Sequence, residues 1–286
     1  KPFSVIPSIN PNESKNLKIS ESTIGFAGKN SIEIKLNLKN DQYPFNNNIT
    51  NNYTVNKDLK ESLLNVLFDG KTIINGDIVS PKPIIQILNT DENKFLLLND
   101  TSTVDVYLKN QTSTNFKRIN YSDNSLTFIP ATTGEKNTSI IEFKPEQLTN
   151  GSYTLRVKSK DITGNINNND YEIDFEVVNE STITNFYPYP NPVVNSMKFV
   201  FTLTGQKIPD KIKITIYNGS GKVVKTITKT ELGNIKIGNN ISDFTWDCTD
   251  EFGDRLANGV YFYKVEISDS DEDFRAKRTS GDINFK

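Results

Sequence analysis

One six-residue pattern occurs twice. Leu148-Thr149-Asn150-Gly151-Ser152-Tyr153 returns 108 positions later as Leu256-Ala257-Asn258-Gly259-Val260-Tyr261, and each copy opens a strand-like stretch. Asn-Gly supplies a turn with positive φ. The Tyr two residues after the Gly then enters the strand with its hydroxyl free to bond back to the preceding loop, a corner typical of two-layer β-sandwiches. A period of this length fits one sandwich domain of about 100 residues. Chance recurrence of a turn followed by Tyr is the competing reading, and tandem sandwiches are the expectation taken forward.

Composition agrees with a β-protein. The 286 residues contain 37 Asn and only 4 Ala. Asn competes with helical backbone bonds and favours turns, whereas Ala is the best helix former. Codon bias in an AT-rich genome would give the same excess, so pattern must carry the argument. Short apolar runs separated by turn residues supply it, at Leu64 to Phe68, Ile84 to Leu88, Thr103 to Leu108, Ser125 to Ile129, Ser139 to Phe143 and Tyr171 to Val178. Such spacing reads as an immunoglobulin-like sandwich. Ile84 to Leu88 has only Gln86 as a polar member and is expected to be covered on both faces.

A second series follows, at Lys198 to Leu203, Lys211 to Tyr217, Val223 to Thr228, Ile241 to Trp246 and Val260 to Ile267. Asn218-Gly219-Ser220-Gly221 predicts a hairpin between two of these strands. Between the series lies Thr182 to Pro192, with Pro188, Pro190 and Pro192. Proline does not sit inside a central strand, so the stretch reads as a stiff connector and a boundary. Near the start, Ile32, Ile34, Leu36 and Leu38 alternate with polar residues, as in a half-buried strand. The Asn-rich stretch 46–52 reads as a loop before a short strand at Tyr53-Thr54-Val55. The fold expectation is therefore all-β, with tandem immunoglobulin-like β-sandwiches at 58–180 and 181–286 preceded by a partial β-domain at 1–57. Lys1-Pro2-Phe3 reads as the middle of something larger.

Several chemistries are excluded. Without any His the chain supplies no Ser-His-Asp or Cys-His pair and no His-ligated zinc site. A single Cys permits no internal disulfide. The 33 basic and 35 acidic side chains leave a net charge of −2, which gives no basis for nucleic-acid binding. No apolar run reaches the roughly 20 residues of a membrane span.

A resemblance adds to these readings. Tyr189-Pro190-Asn191-Pro192, Ile216 to Val224, Trp246-Asp247, Asp250-Glu251-Phe252-Gly253-Asp254 and Asn258 to Tyr263 resemble, in order and spacing, the immunoglobulin-like C-terminal domain of type IX secretion cargo and its FlgD-like relatives. Cys248 departs from that pattern, which has Gly after Trp-Asp. Phe68-Asp69-Gly70, Asn75 to Pro83, Leu98 to Ser102 and Phe199 to Leu203 resemble the tail of gingipain-related, PorU-like surface proteins of Bacteroidota. Asn51 to Val55 is similar to the end of the adhesion-type β-domain preceding it. The resemblance implies a modular protein at the cell surface or outside the cell, associated with the outer membrane, whose partners are type IX secretion or outer-membrane surface proteins. It implies a cysteine peptidase domain preceding Lys1. It also implies a further terminal strand, which the sequence after the charged stretch Phe274 to Arg278 does not show plainly, Ile283 and Phe285 alone alternating; a shortened C-terminus is the reading taken.

Other candidates weigh less. Cys248 has no His to activate it and reads as structural. Asp243, Asp247, Asp250, Glu251 and Asp254 could offer oxygens to Ca²⁺ but lack EF-hand spacing, and solvated turn acids are the reading preferred. The turn-like stretch Asp161 to Asn165 and the acidic run Asp269 to Asp273 read the same way. No catalytic, cofactor or metal residue is assigned, and no cofactor is expected. The functional expectation is a non-catalytic tail serving in secretion, anchoring or assembly. A carbohydrate-binding module is the alternative, which an exposed row of aromatic residues on one sheet would favour, and a carboxylate-based glycosidase is a third.

Overall fold

The computed structural model describes residues 9–39, 41–162, 170–269 and 277–285, with backbone alone at 277 and 278. Most of the expected turn at 161–165 and of the acidic run 269–273 falls outside these residues. The chain divides into two compact units, Lys1–Leu59 and Lys60–Lys286.

In the first unit, β1 (Gly28–Lys35) pairs antiparallel with β2 (Asn48–Val55), Ile34 lying opposite Ile49. Period-2 alternation places Ile32, Ile34, Ile49, Tyr53 and Val55 on one face and Glu33, Lys35, Thr50 and Asn52 on the other. The expected half-buried face is instead exposed, Ile32 to 51% and Ile49 to 64%, because among the described residues of this unit no second layer lies over the two strands. The Asn-rich stretch also extends a strand where a loop was expected. Asn48 and Asn52 sit on the polar face, and the Asn48 amide donates to Glu33 Oε1 at 2.9 Å.

The second unit holds two hydrophobic cores that share no residue, one between Leu64 and Val177 and one between Ile183 and Phe285. The first lies between two sheets built from β3 (Leu63–Phe68), β4 (Asp77–Val79), β5 (Ile85–Thr90), β6 (Val104–Asn110), β7 (Lys117–Ile119), β8 (Leu126–Ile129), β9 (Thr138–Phe143), β10 (Gly151–Ser159) and β11 (Tyr171–Val177). Strand orders are β3-β5-β9-β8 and β4-β11-β10-β6-β7, with β4 parallel to β11 and the other pairs antiparallel. Phe68 of one sheet meets Phe175 of the other at 5.2 Å between ring centroids. Strand β5 is not equally covered on its two faces: Ile85 and Ile87 are fully buried while Gln86 and Leu88 remain partly accessible. Arg156 and Lys109 lie over the outward ring of Phe116, the guanidinium carbon 3.8 Å from its centroid, which covers an aromatic face that would otherwise be open.

The second core lies between the sheets β12-β13-β16 and β15-β14-β17-β18, formed by β12 (Thr182–Tyr189), β13 (Lys198–Thr204), β14 (Lys211–Tyr217), β15 (Val223–Thr228), β16 (Gly238–Ile241), β17 (Gly259–Ser268) and β18 (Lys277–Phe285). Along β17 the alternation is strict, with Tyr261, Tyr263, Val265 and Ile267 buried. Trp246 is fully buried, edge-on to Phe285 at 5.8 Å. Each large side chain so covered contributes about 1.5–3 kcal/mol. The expected hairpin forms, Asn218 Oδ1 accepting from the backbone N–H groups of Ser220 and Lys222 at 3.1 and 2.9 Å.

Three expectations need correction here. Residues 182–189 are not a connector but an edge strand, which accommodates Pro188 because no strand needs its missing N–H. A bulge between Thr184 and Tyr187, with Asn185 at φ 49°, adapts the strand to its neighbour. The peptide bonds before Pro190 and Pro192 are cis. Next, Ile241 to Trp246 is not a strand. β16 ends at Ile241, where the Ser242 hydroxyl donates to the Phe244 carbonyl at 2.7 Å and accepts from Phe199 N–H at 3.0 Å, a local competition that ends the ladder. Finally, the residues after the charged stretch form a strand their sequence does not show plainly: β18 pairs with β17 from Lys277 opposite Ile267 to Phe285 opposite Gly259.

The sandwiches meet at two strand edges. Asn239 of β16 donates to Asp77 of β4 at 3.1 Å. Beside it Gly238, at φ +97°, lies so close that a Cβ would stand 2.3 Å from the Ile78 carbonyl oxygen. Gly205 N–H donates to the Val178 carbonyl at 3.0 Å on the same junction.

Candidate functional site

The residues that carry the resemblance to the immunoglobulin-like C-terminal domain lie on the C-terminal sandwich, and several of them are held in hydrogen bonds within it. Cys248 is 1% exposed and sits at φ 64°, in the left-handed region that favours glycine. Burial pushes its thiol pKa up to about 11, helped by the charge of Asp247. A thiol so held stays protonated and unreactive near neutrality. Its carbonyl accepts from Leu256 N–H at 3.0 Å, and the adjoining Trp246 indole donates to the Thr249 carbonyl at 2.9 Å.

Of the five acids considered as cation ligands, Asp243, Asp247, Asp250 and Glu251 use their carboxylates to hold turns or a strand edge, and Asp254 takes part through its backbone. Asp243 Oδ2 accepts from Asn234 N–H at 2.9 Å. Asp247 Oδ1 accepts from the Thr249 hydroxyl at 2.7 Å, which together with the Thr249 N–H holds its carboxyl below the usual range. Asp250 Oδ1 takes the N–H groups of Phe252 and Asp254 at 2.9 and 3.0 Å, and the Asp254 carbonyl accepts from Asp250 N–H. Glu251 Oε1 accepts from Thr226 N–H on β15 at 2.6 Å. Among the described residues no group of three or more acids or thiols is placed to hold a metal ion.

Asn191 is equally occupied. Its Oδ1 accepts from Asn284 N–H at 2.8 Å and its Nδ2 donates to the Asp282 carbonyl at 3.2 Å, so one side chain bonds the outer edge of β18 as a neighbouring strand would. Val193 N–H then donates to the Asn284 carbonyl at 2.8 Å. The repeat residues also hold: Tyr153 donates to the Thr149 carbonyl at 3.1 Å and Tyr261 to that of Ala257 at 3.0 Å.

Two surface features remain. On β12, Tyr187 and Tyr189 face outward, 48% and 67% exposed, and Val200 and the exposed Ile241 continue the Tyr187 row across β13 and β16. Sequence reading missed this row because residues 182–192 were read as a connector, although the alternation of Phe186, Tyr187, Pro188 and Tyr189 was there to be read as a strand. Beside β7, a shallow cleft of roughly 1160 Å³ is floored by Leu108, Ile119 and Leu148. Of the two carboxylates on its lining, Asp123 accepts from Asn120 N–H at 3.3 Å.

With this geometry in view, comparison with known proteins places one part of the chain. A model of the FlgD Ig-like domain matches residues 193–271, the body of the C-terminal sandwich. No curated protein sequence matches the chain. Among solved structures, dimeric latent PorU from Porphyromonas gingivalis is similar at 18% identity and a TM-score of 0.33, over 81% of this chain and 21% of that one. This chain therefore spans about a fifth of the PorU chain's length. A segment of two fibronectin type-III domains from chicken tenascin aligns over 79% of this chain and 99% of its own, at 8% identity and a TM-score of 0.23. The FN1–FN3 domains of chicken CNTN1 align over 74% and 66%, at 11% identity and a TM-score of 0.24. The chain is almost all β and resembles Ig and fibronectin-type domains in fold.

Proposed function

We propose that this chain is the non-catalytic tail of a larger surface protein handled by type IX secretion, and that its C-terminal sandwich serves in secretion, anchoring or assembly. The observation that carries this reading is the FlgD Ig-like match over residues 193–271, on a sandwich whose distinctive residues are spent on turns and strand edges. Cys248 is buried and its thiol protonated, and the acids near it accept backbone bonds, so the site supports recognition as a folded body rather than turnover. No helix among the described residues is long and apolar enough to cross a membrane.

The test is a fusion. An exported reporter carrying residues 1–286 at its C-terminus should reach the surface of a type IX-competent cell, and deletion of 181–286 should abolish this. If the fusion stays inside while an authentic cargo signal delivers the same reporter, the secretion role is wrong.

One observation favours a second reading, glycan binding. Tyr187 and Tyr189 lie two residues apart on one face of an edge strand, both exposed, and tyrosine faces stack on sugar rings through their apolar C–H surface. A glycan array answered by the parent chain but not by Tyr187→Ala with Tyr189→Ala would establish it.

A further inference from the structure

A β-sandwich has four sheet edges, and each is a template for pairing with another chain unless something occupies it. In the C-terminal sandwich all four are occupied or distorted in some part. The β16 edge meets β4 through Asn239 and Asp77. The β12 edge carries a bulge and Pro188. The other two belong to the sheet β15-β14-β17-β18, where side chains reach in from the turns, joined on β18 by the main chain of Val193, which bridges to Phe285 and donates to the Asn284 carbonyl.

On β15 the outward positions are the even-numbered ones. Thr226 N–H is taken by Glu251 Oε1 at 2.6 Å, and Glu251 returns its own N–H to the Val224 carbonyl at 3.0 Å. Two residues on, the strand ends at Thr228, whose N–H and hydroxyl both bond Glu231 Oε2 as the capping box of the short helix Lys229–Leu232. On β18, Asn284 N–H and the Asp282 carbonyl are taken by the two ends of one amide, that of Asn191. An amide is the side chain suited to that place, since it alone offers an acceptor and a donor at the spacing of a peptide group. The flanking prolines have no N–H of their own to compete for the edge.

We propose that Asn191 and Glu251 are strand-edge blockers, whose role is to keep this sheet from pairing with a strand of a second copy of the chain. The proposal stands apart from the secretion reading, because it concerns association of the isolated chain in solution. It gives a physical task to two of the motifs, Tyr189-Pro190-Asn191-Pro192 and Asp250 to Asp254, that sequence reading singled out without a role.

Asn191→Ala and Glu251→Ala in the chain 1–286 test it, with fluorescence of the single buried Trp246 as the check on folding. Amide exchange at Asn284 in the first variant and Thr226 in the second should accelerate at least about tenfold, since local opening governs exchange at a strand edge. The double variant should associate further than the parent at equal concentration in analytical ultracentrifugation. Glu251→Gln keeps an oxygen for Thr226 N–H and should restore both readouts. Faster exchange without added association, or unchanged exchange, overturns the proposal. Should Glu251→Ala unfold, Glu251→Ser, too short to reach Thr226, carries the same test. Unfolding of both would also overturn it, because a blocker of an exposed edge is dispensable for the core.

Discussion

The phenolic oxygen of Tyr261 lies 3.0 Å from the carbonyl oxygen of Ala257, four residues before it. In the other sandwich Tyr153 makes the same bond to Thr149 at 3.1 Å, with the Thr149 hydroxyl added at 3.0 Å. Both rings are buried against a partner aromatic, Tyr261 on Phe285 and Tyr153 stacked on Phe175. Loop and strand are thus tied by the same residue in each domain. Removing the hydroxyl alone leaves the ring in place and one carbonyl without that bond. Tyr153→Phe and Tyr261→Phe should each lower stability by about 1 kcal/mol, measured as a shift of the denaturant midpoint. Unchanged midpoints in both would mean that the repeated pattern is coincidental.

This bond was legible in the sequence because donor and acceptor lie four residues apart. The roles of Asn191 and Glu251 were not, since their partners stand 93 and 25 residues away and only the closed sheet brings them together. Strand β18 was hidden for a related reason. A nine-residue strand carrying Lys277, Arg278, Asp282 and Gly281 shows little apolar alternation, and its pairing with β17, not its own composition, makes it a strand. The prolines at 188–192 misled in the opposite sense, because a rule that excludes proline from central strands says nothing of an edge.

Gly238 sets the approach of the two sandwiches. At φ +97° any other residue is strained, and a Cβ would stand 2.3 Å from the Ile78 carbonyl oxygen, a contact that only backbone movement relieves. Gly238→Ala should cost on the order of 2 kcal/mol and should accelerate amide exchange across β4 and β16 together. Asp77→Ala, which removes the partner of Asn239, should produce the same pattern more weakly. Exchange that changes at β16 alone would show that the edges are not coupled.

Cys248 should report global unfolding. Buried to 1%, its thiol should react with an alkylating reagent only as fast as the sandwich opens, and addition of denaturant should release it. The folded state raises its pKa from 9.0 to about 11 through burial first and Asp247 second. The folded state therefore holds this proton more tightly than the unfolded chain does. The corresponding stability is complete below pH 9 and is lost as pH climbs towards 11, on the order of 2 kcal/mol in all. The measurement is the difference in alkaline stability between the parent and Cys248→Ala, which cancels the groups the two proteins share. A pH-independent difference would contradict it.

The last prediction concerns one end of the middle sandwich, where the inward-facing positions change from apolar to polar. Ile85 and Ile87 of β5 are followed on the same face by Asn89, and Phe143 and Ile141 of β9 are preceded by Ser139, which lies directly opposite Asn89. Both residues are 0% exposed. Among the described residues neither the Asn89 amide oxygen and nitrogen nor the Ser139 hydroxyl has a hydrogen-bond partner. A buried amide without partners costs more than the bond it forgoes, because it has left water without replacement, whereas an apolar group of the same shape carries no such penalty. Asn89→Leu keeps the branched shape of the amide, at a larger volume, and removes both orphaned atoms. It should stabilise the protein by about 1 kcal/mol, a rise of a few degrees in Tm for a unit of this size. Ser139→Ala should act in the same direction and more weakly. A loss of stability of more than about 1 kcal/mol in Asn89→Leu would instead show that the amide is bonded in solution, and would make this polar end a built hydrogen-bonding layer of the fold.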